Sequence, residues 1–252
     1  MSEYFSDLHL VHFLPVLTTV VAAFFLYHIF RRYLQKGGTH LLWWSIGVFT
    51  YGLGTFLESM VSILGNGPLL NKTWYVAGAI LGGYPLAQGS VYLHFSKRTA
   101  DLMTAVTLPF VALASVFVLL SPTDLTRLEM FRPGGGALAW QWVRGLTPIV
   151  NGYAAIFLVG SAVLSAVRFA RSNDGFYRAL GNALIASGAI LPGIGGGMAK
   201  GGFVEALYIG EFVGIILIFA GYLVCRKDPL TVDQQTEVGV RSRRKTLDGP
   251  TG

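Results

Sequence analysis

Long apolar runs, each about as long as a membrane crossing, fill most of this 252-residue chain. A transmembrane helix needs about 20 apolar residues, because a rise of about 1.5 Å per residue must cover a hydrocarbon core of about 30 Å. Windows of this length, bounded by charged or turn residues, predict seven spans. The spans cover residues 9–30, 41–64, 73–95, 101–120, 147–168, 178–199 and 204–225. The sequence therefore predicts an all-α polytopic membrane protein, with residues 1–226 forming a bundle of seven transmembrane helices.

The composition supports this class and excludes others. Hydrophobic residues make up 53% of the chain and charged residues 13%, whereas soluble domains carry about 25% charged residues. The spans, their connections and a tail account for the whole sequence, so we expect no separate soluble catalytic domain. The single cysteine, Cys225, can form neither an internal disulfide nor a zinc cluster.

Basic residues predict the orientation, because short cytoplasmic loops are enriched in Lys and Arg. With the N-terminus outside and the C-terminus in the cytoplasm, only five of the 19 basic residues lie outside: Lys72, Arg127, Arg132, Arg144 and Lys200. All five tryptophans fall at predicted membrane interfaces, where this side chain is enriched. We therefore expect a multi-pass protein of the cell (cytoplasmic) membrane. Its net charge of +6 then reflects topology and the lipid bilayer as partner, not nucleic acid.

Two polar segments lie outside the predicted spans. The loop at about residues 121–146 is external and aromatic, and it either covers the mouth of the bundle as a lid or anchors Trp140 and Trp142 in the interface. The tail, residues 227–252, has no apolar run and is predicted to be a disordered basic cytoplasmic tail. Its basic residues either bind anionic headgroups or keep the tail soluble.

Small residues predict how the helices pack, because close backbone approach drives helix association in lipid. Pairs spaced by four residues are Gly78 and Gly82, Ser161 and Ser165, Gly193 and Gly197, and Gly210 and Gly214. Pro85 removes one backbone donor inside the third span, which predicts a kink. The glycines 195–197 are expected to loosen the outer end of the sixth span.

Only two carboxylates lie well inside the spans, Glu58 and Glu211. Each shares a helix face with small or tyrosine residues, so both are expected to face the bundle interior, about 10 Å below the outer surface. If the spans form a sequential ring, the first, second and seventh are neighbours. His12, Glu58 and Glu211 then form a cluster, which Tyr208 closes.

Three interpretations of this cluster are open. It is a buried polar network that holds three helices in register, a site for a proton or cationic ligand, or a metal centre on His12, Glu58 and Glu211. Gln88, near the Pro85 kink, is a further residue expected to line a ligand pocket.

Other cofactor chemistry has weaker support from the sequence. His28 and His94 near the inner ends of their spans permit either interfacial positions or a bis-histidine haem. No lysine lies deep in a span, so a retinal Schiff base has no amine, and no GxSxG elbow or Walker loop occurs. The cofactor therefore stays unknown at this point.

The stretch from Trp43 to Leu93 resembles uncharacterised bacterial seven-helix membrane proteins. More distantly, it is similar to the seven-helix sensor region of bacterial histidine kinases. The residues that carry this likeness are Trp44, Gly47, Tyr51, Gly52, Gly54, Glu58, Trp74, Tyr75, Gly78, Gln88, Gly89 and Tyr92. In such a sensor the helices bind a signal and pass it to an output domain. Because this chain has only a short tail after the last span, the resemblance implies a separate cytoplasmic or membrane partner protein.

These observations lead to two expectations for function. The first is a non-enzymatic integral membrane protein that binds a small or lipidic ligand, as a sensor does, or serves as an accessory subunit of a membrane complex. The expected ligand residues are Glu58, Glu211, Tyr208 and Gln88. The alternative is a metal- or proton-dependent membrane enzyme or transporter that uses the outer His and Glu cluster.

Overall fold

The computed structural model of the protein describes residues 13–172, 175–203 and 205–227, and all regular elements within these ranges are helical. The α-helices are α1 (Leu14–Lys36), α2 (Thr39–Leu64), α3 (Pro68–Trp74), α4 (Tyr84–His94), α5 (Lys97–Leu120), α6 (Leu146–Ala154), α7 (Ser161–Ala170), α8 (Phe176–Lys200) and α9 (Glu205–Cys225). Two π-helical segments continue α3 and α6, namely π1 (Tyr75–Ile80) and π2 (Ala155–Gly160). The all-α class is thus confirmed, while residues 228–252 of the predicted tail and His12 lie outside the described residues.

Six helical stretches in the described part of the chain are long and apolar enough to cross a membrane. They are Leu14–Lys36, Thr39–Leu64, Lys97–Leu120, Gln141–Ala170, Phe176–Ala199 and Glu205–Cys225. They match six of the seven predicted spans, and they identify a multi-pass membrane protein. The exception is the predicted third span, residues 73–95, which the structure divides among α3, π1 and α4.

Pro85 accounts for the interruption of this third segment. A proline at position 85 has no N–H to donate to the carbonyl of Leu81, four residues earlier, and its ring crowds that carbonyl, which favours a kink or break here. The chain turns at residues 81–83 and α4 begins at Tyr84. Thr50 of α2 donates its hydroxyl to the carbonyl of Leu81 at 3.0 Å. The predicted kink is confirmed, and a neighbouring helix satisfies the carbonyl that it leaves free.

Two predicted helix ends are corrected by the structure. The first span continues past residue 30 to Lys36, and it ends where Gly37 and Gly38 adopt positive φ angles of 66° and 102°. The glycines 195–197 do not loosen the sixth span, because α8 stays helical to Lys200. Gly195 lies so close to α9 that a Cβ there would meet the carbonyl oxygen of Ala206 at 2.5 Å. Packing against the next helix therefore stabilises this end.

Helices α8 and α9 form the most closely packed helix pair, and glycines make this possible. A Cβ on Gly188 would lie 2.5 Å from the carbonyl oxygen of Gly214, and one on Gly214 would lie 2.7 Å from that of Gly188. Gly181, Gly210 and Gly221 approach the partner backbone in the same way. The prediction for the pair at 210 and 214 is confirmed.

The predicted packing role of the pair at 193 and 197 is wrong. A Cβ on Gly193 or Gly197 would have no heavy atom within 4 Å. Both glycines therefore lie on the open face of α8, away from the closely packed contact with α9.

The predicted neighbourhood of the first, second and seventh spans is confirmed. The hydroxyls of Thr19 on α1 and Thr55 on α2 are 3.0 Å apart. Tyr51 of α2 donates its hydroxyl to the backbone carbonyl of Glu211 on α9 at 2.8 Å. Phe25 of α1 stacks on Phe219 of α9 with a centroid distance of 4.9 Å. These contacts bring α2 and α9 together along the faces that carry the two buried acids.

We predict that the substitution Gly188→Ala destabilises the protein by about 1–3 kcal/mol, because the methyl group must push α8 and α9 apart. Gly193→Ala, on the open face of the same helix, is the matched control and should not destabilise the protein, since alanine favours a helix over glycine by up to about 1 kcal/mol. Thermal unfolding of the detergent-solubilised variants compares the two. Equal stability of both variants would show that α8 and α9 are not packed as closely as described.

Candidate functional site

Glu58 of α2 is the most deeply buried acidic side chain that the structure describes. Only 1% of its surface is exposed, and neither carboxyl oxygen has a hydrogen-bond donor among the described residues. The group that it faces is the side chain of Glu211 on α9, and the two carboxyl groups contact each other directly. Glu211 is half-buried as a residue, but its Oε2 is inaccessible and also lacks a donor in this part of the chain.

A contact between two carboxyl groups has a definite chemical requirement. An ionised carboxylate only accepts hydrogen bonds, so the pair can share one only when one group carries a proton. Two negative charges that are in contact and shielded from water would repel each other strongly. The pair must therefore hold a proton, or a bound cation or donor must replace it.

Polar side chains one helical turn away complete the site. Ser62 follows Glu58 by four residues, and its hydroxyl is buried with no hydrogen-bond partner in the described chain. Tyr208 precedes Glu211 by three residues, is 2% exposed, and lies close to Ser62 and to both carboxyl groups. The hydroxyl of Tyr51 lies near both acids as well, while it donates to the backbone of Glu211. The structure thus brings Glu58, Glu211 and Tyr208 together, as the sequence predicts.

The long loop after α5 packs over the end of the bundle at which this site lies. Arg132 donates to the carbonyl of Ala199 at the end of α8 at 2.8 Å, and its charge acts on Tyr208. Two asparagines hold the loop from the other side. Asn66 donates to the carbonyls of Glu129 and Arg132 at 3.0 and 3.1 Å. This position agrees with the predicted lid.

Asn71 makes the most complete set of loop contacts. It is 1% exposed, donates to the carbonyl of Gly134 at 3.0 Å and accepts the N–H of the same residue at 2.9 Å. The loop tryptophans point elsewhere: Trp140 and Trp142 stack on each other and are 37% and 56% exposed. Their exposure agrees with interfacial anchoring, so one segment has the features of both predicted roles.

The metal interpretation needs His12 as its third ligand. His12 lies outside the described residues, and the described ones contain no group of three metal-ligating side chains. A metal centre at Glu58 and Glu211 therefore stays a prediction. For haem, His94 donates from Nδ1 to the carbonyl of Ser90 and accepts at Nε2 from Ser165. His28 instead packs against Phe219 of α9, so the two histidines face different neighbours.

Gln88 belongs to a second polar group, held among α4, α5 and α6. It is fully buried, donates to the hydroxyl of Thr104 at 2.6 Å and accepts from the hydroxyl of Tyr153 at 2.6 Å. Thr104 in turn donates to Tyr92, which donates to Asp101 at 2.8 Å. Because these partners already occupy its amide, Gln88 resembles a structural crosslink, and its role in a pocket stays a prediction.

No protein-family model, no characterised protein and no solved structure matches this chain. The expected likeness to bacterial seven-helix proteins and to sensor regions therefore stays a prediction. Any functional conclusion must come from the side chains themselves.

We predict that Asn71→Ala releases the loop, because the N–H and carbonyl of Gly134 both lose their partner. Leaving a buried polar group unpaired costs about 1–3 kcal/mol. Amide hydrogen exchange across residues 128–136 should become faster, with a lower melting temperature. Asn151→Ala, at an exposed position on α6, is the control and should change neither. Unchanged exchange in the Asn71 variant would contradict the role of this side chain.

Proposed function

We propose that the protein is a non-enzymatic, sensor-like integral membrane protein that binds a small ligand at Glu58 and Glu211. The observation that carries this proposal is the pair of unpaired oxygens on Glu58, which is almost completely buried. Buried polar groups are normally hydrogen-bonded, and an intramembrane acid is costly to keep. A bound partner that supplies donors explains why this acid lies here.

The chemistry of the site defines the class of ligand. The carboxyl groups of Glu58 and Glu211 offer acceptor oxygens, and a positive charge between them replaces the shared proton. A small organic ammonium ion or an inorganic monovalent cation meets both requirements. The ring of Tyr208 adds a surface that attracts cations. Occupancy by a proton alone is the unliganded state of the same site.

We further propose that the chain crosses the membrane seven times, with an external N-terminus. The six apolar helices give six crossings. The segment from Pro68 to His94, made of α3, π1 and α4, would be the additional crossing, third in chain order. Residues 84–91 are all buried, which supports a place inside the bundle for a segment that is too interrupted to count as one apolar helix. An odd number of crossings also keeps most of the basic residues on one side.

A proton-coupled transporter is the second candidate, and a specific observation favours it. The site can exchange a proton for a cation, and π-helical segments or broken helices often occur at functional sites and in transporters. Two π-helical segments, Tyr75–Ile80 and Ala155–Gly160, lie in this bundle. Cation-driven proton movement in proteoliposomes would distinguish transport from binding alone. Metal analysis of the purified protein would test the metal-dependent alternative.

The topology proposal predicts opposite sides for the two ends of the broken segment. In a Cys225→Ser background, Gly67→Cys should react with a membrane-impermeant maleimide in intact cells, whereas Arg98→Cys should react only after permeabilisation. Lys36→Cys provides the reference for the inner side. Labelling of positions 67 and 98 from the same side would show that the segment from Pro68 to His94 does not cross the membrane.

The binding proposal predicts that Glu58→Gln and Glu211→Gln each weaken cation binding at least about tenfold, because charge-assisted contacts are lost. Both variants should still fold, since glutamine resembles a protonated glutamate in shape. The probes are methylammonium, tetramethylammonium, Na⁺ and K⁺, with thermal stabilisation of the solubilised protein as the readout. Saturation with ligand at about 100 times Kd should add about 2.7 kcal/mol of stability.

Glu205→Gln, exposed in the first turn of α9, is the matched control. It should keep the full response to every cation. If the wild type and all three variants respond equally to the probes, the Glu58 and Glu211 pair is not the binding site and only holds helices together.

A further inference from the structure

Toward the C-terminal ends of α1 and α9, the contact between these helices contains aromatic rings and two arginines. On α1, residues spaced by three and four place Phe25, His28 and Arg32 on one face. On α9 and just beyond it, the facing residues are Phe219, Tyr222 and Arg226. Phe25 lies 4.9 Å from Phe219 and 5.4 Å from Tyr222, while His28 lies 5.5 Å from Phe219. Aromatic rings thus fill the part of the contact that adjoins the two arginines.

Both arginines lie against the ring of Tyr222. The guanidinium carbon of Arg32 is 5.9 Å from the centre of the Tyr222 ring, and that of Arg226 is 5.8 Å from the same centre. Because both lie within 6 Å of one point, the two carbons are less than about 12 Å apart. Two positive charges from different helices therefore stand over one aromatic ring.

These charges have no acidic partner in the described part of the chain. The ion pairs there are Lys97 with Asp101, Arg127 with Asp124 and Arg132 with Glu129. Neither Arg32 nor Arg226 belongs to them. The hydroxyl of Tyr222 is also buried, in a residue that is 7% exposed, and it has no hydrogen-bond partner among the described residues. Two donors with positive charge and one unpaired hydroxyl thus share a small region.

We propose that this end of the α1 and α9 contact is a binding site for a phosphate group. Arginine presents a planar fork of N–H donors that matches phosphate oxygens, and one phosphate can accept from two arginines at once. Arginine at a helix end also extends toward the membrane surface, where phospholipid headgroups lie. Arg32 and Arg226 hold the anion, and Tyr222 positions both guanidinium groups.

This site is independent of the carboxyl pair. Arg226 lies fifteen positions after Glu211, which is about 22 Å along a helix. The proposed ligand also has the opposite charge. The phosphate proposal can therefore hold or fail whatever the outcome for Glu58 and Glu211.

The test uses the full chain in detergent, with phosphatidylglycerol and phosphatidylcholine as lipid probes. Native mass spectrometry counts bound lipid, and thermal unfolding measures the stabilisation. We expect a preference for phosphatidylglycerol that Arg32→Gln and Arg226→Gln each reduce at least about tenfold, as the loss of a charge-assisted hydrogen bond does. Arg168→Gln, at an exposed position in the last turn of α7, is the matched control and should keep the preference.

The remaining outcomes are equally decisive. Glycerol phosphate and inorganic phosphate, titrated in the same assay, identify the source of the phosphate. If they bind with the same dependence on Arg32 and Arg226, the site is supported and its ligand is a soluble phosphate. General surface attraction changes affinity only about fivefold per charge. Equal and small losses in all three variants, or no preference for phosphate-bearing anions over phosphatidylcholine, would overturn the proposal.

Discussion

Inside the hydrocarbon, each backbone polar group needs a partner within the protein, and this constraint determines where the helices of this bundle can break. At the interruption before Tyr84, Pro85 cannot donate to the carbonyl of Leu81, and Thr50 donates to this carbonyl instead. Trp44 donates to the carbonyl of Leu86 in the same region at 3.1 Å. Helix α2 therefore supports the irregular segment that packs against it.

Buried polar side chains need partners for the same reason, and Glu58 departs from this requirement. Most polar side chains in the described bundle, such as Gln88 and Asn71, have partners within hydrogen-bond distance. Neither carboxyl oxygen of Glu58 has a hydrogen-bond donor among the described residues, and the group that it faces is another acid. Helices α2 and α9 are also joined by the bond from Tyr51 to the backbone of Glu211. Under the proposed function, a bound ligand supplies the donors that the described residues do not.

Much of the fold follows from the sequence, because span length and apolar runs are strong signals in membranes. Helix periodicity also predicted which face of α9 carries Tyr208 and Glu211 and which face of α2 carries Glu58. The assumed ring order of the spans then placed these two helices next to each other. The contribution of Ser62 and the position of Arg132 were not predicted. Arg132 lies in a long loop without periodicity, and its place depends on side-chain bonds from Asn66, a residue far away in the chain. Spacing alone also assigned the wrong glycines to the surface of α8 that contacts α9.

The glycines of α8 and α9 have a consequence for how this chain can change over evolution. At Gly188 and Gly214 the neighbouring atom is a backbone carbonyl, which no change of rotamer can move aside. Descendants of this sequence can therefore replace neither residue without separating two helices. At Gly193 and Gly197 the space is open, so drift there is unconstrained by packing. Two glycine pairs in one helical hairpin should thus diverge at very different rates.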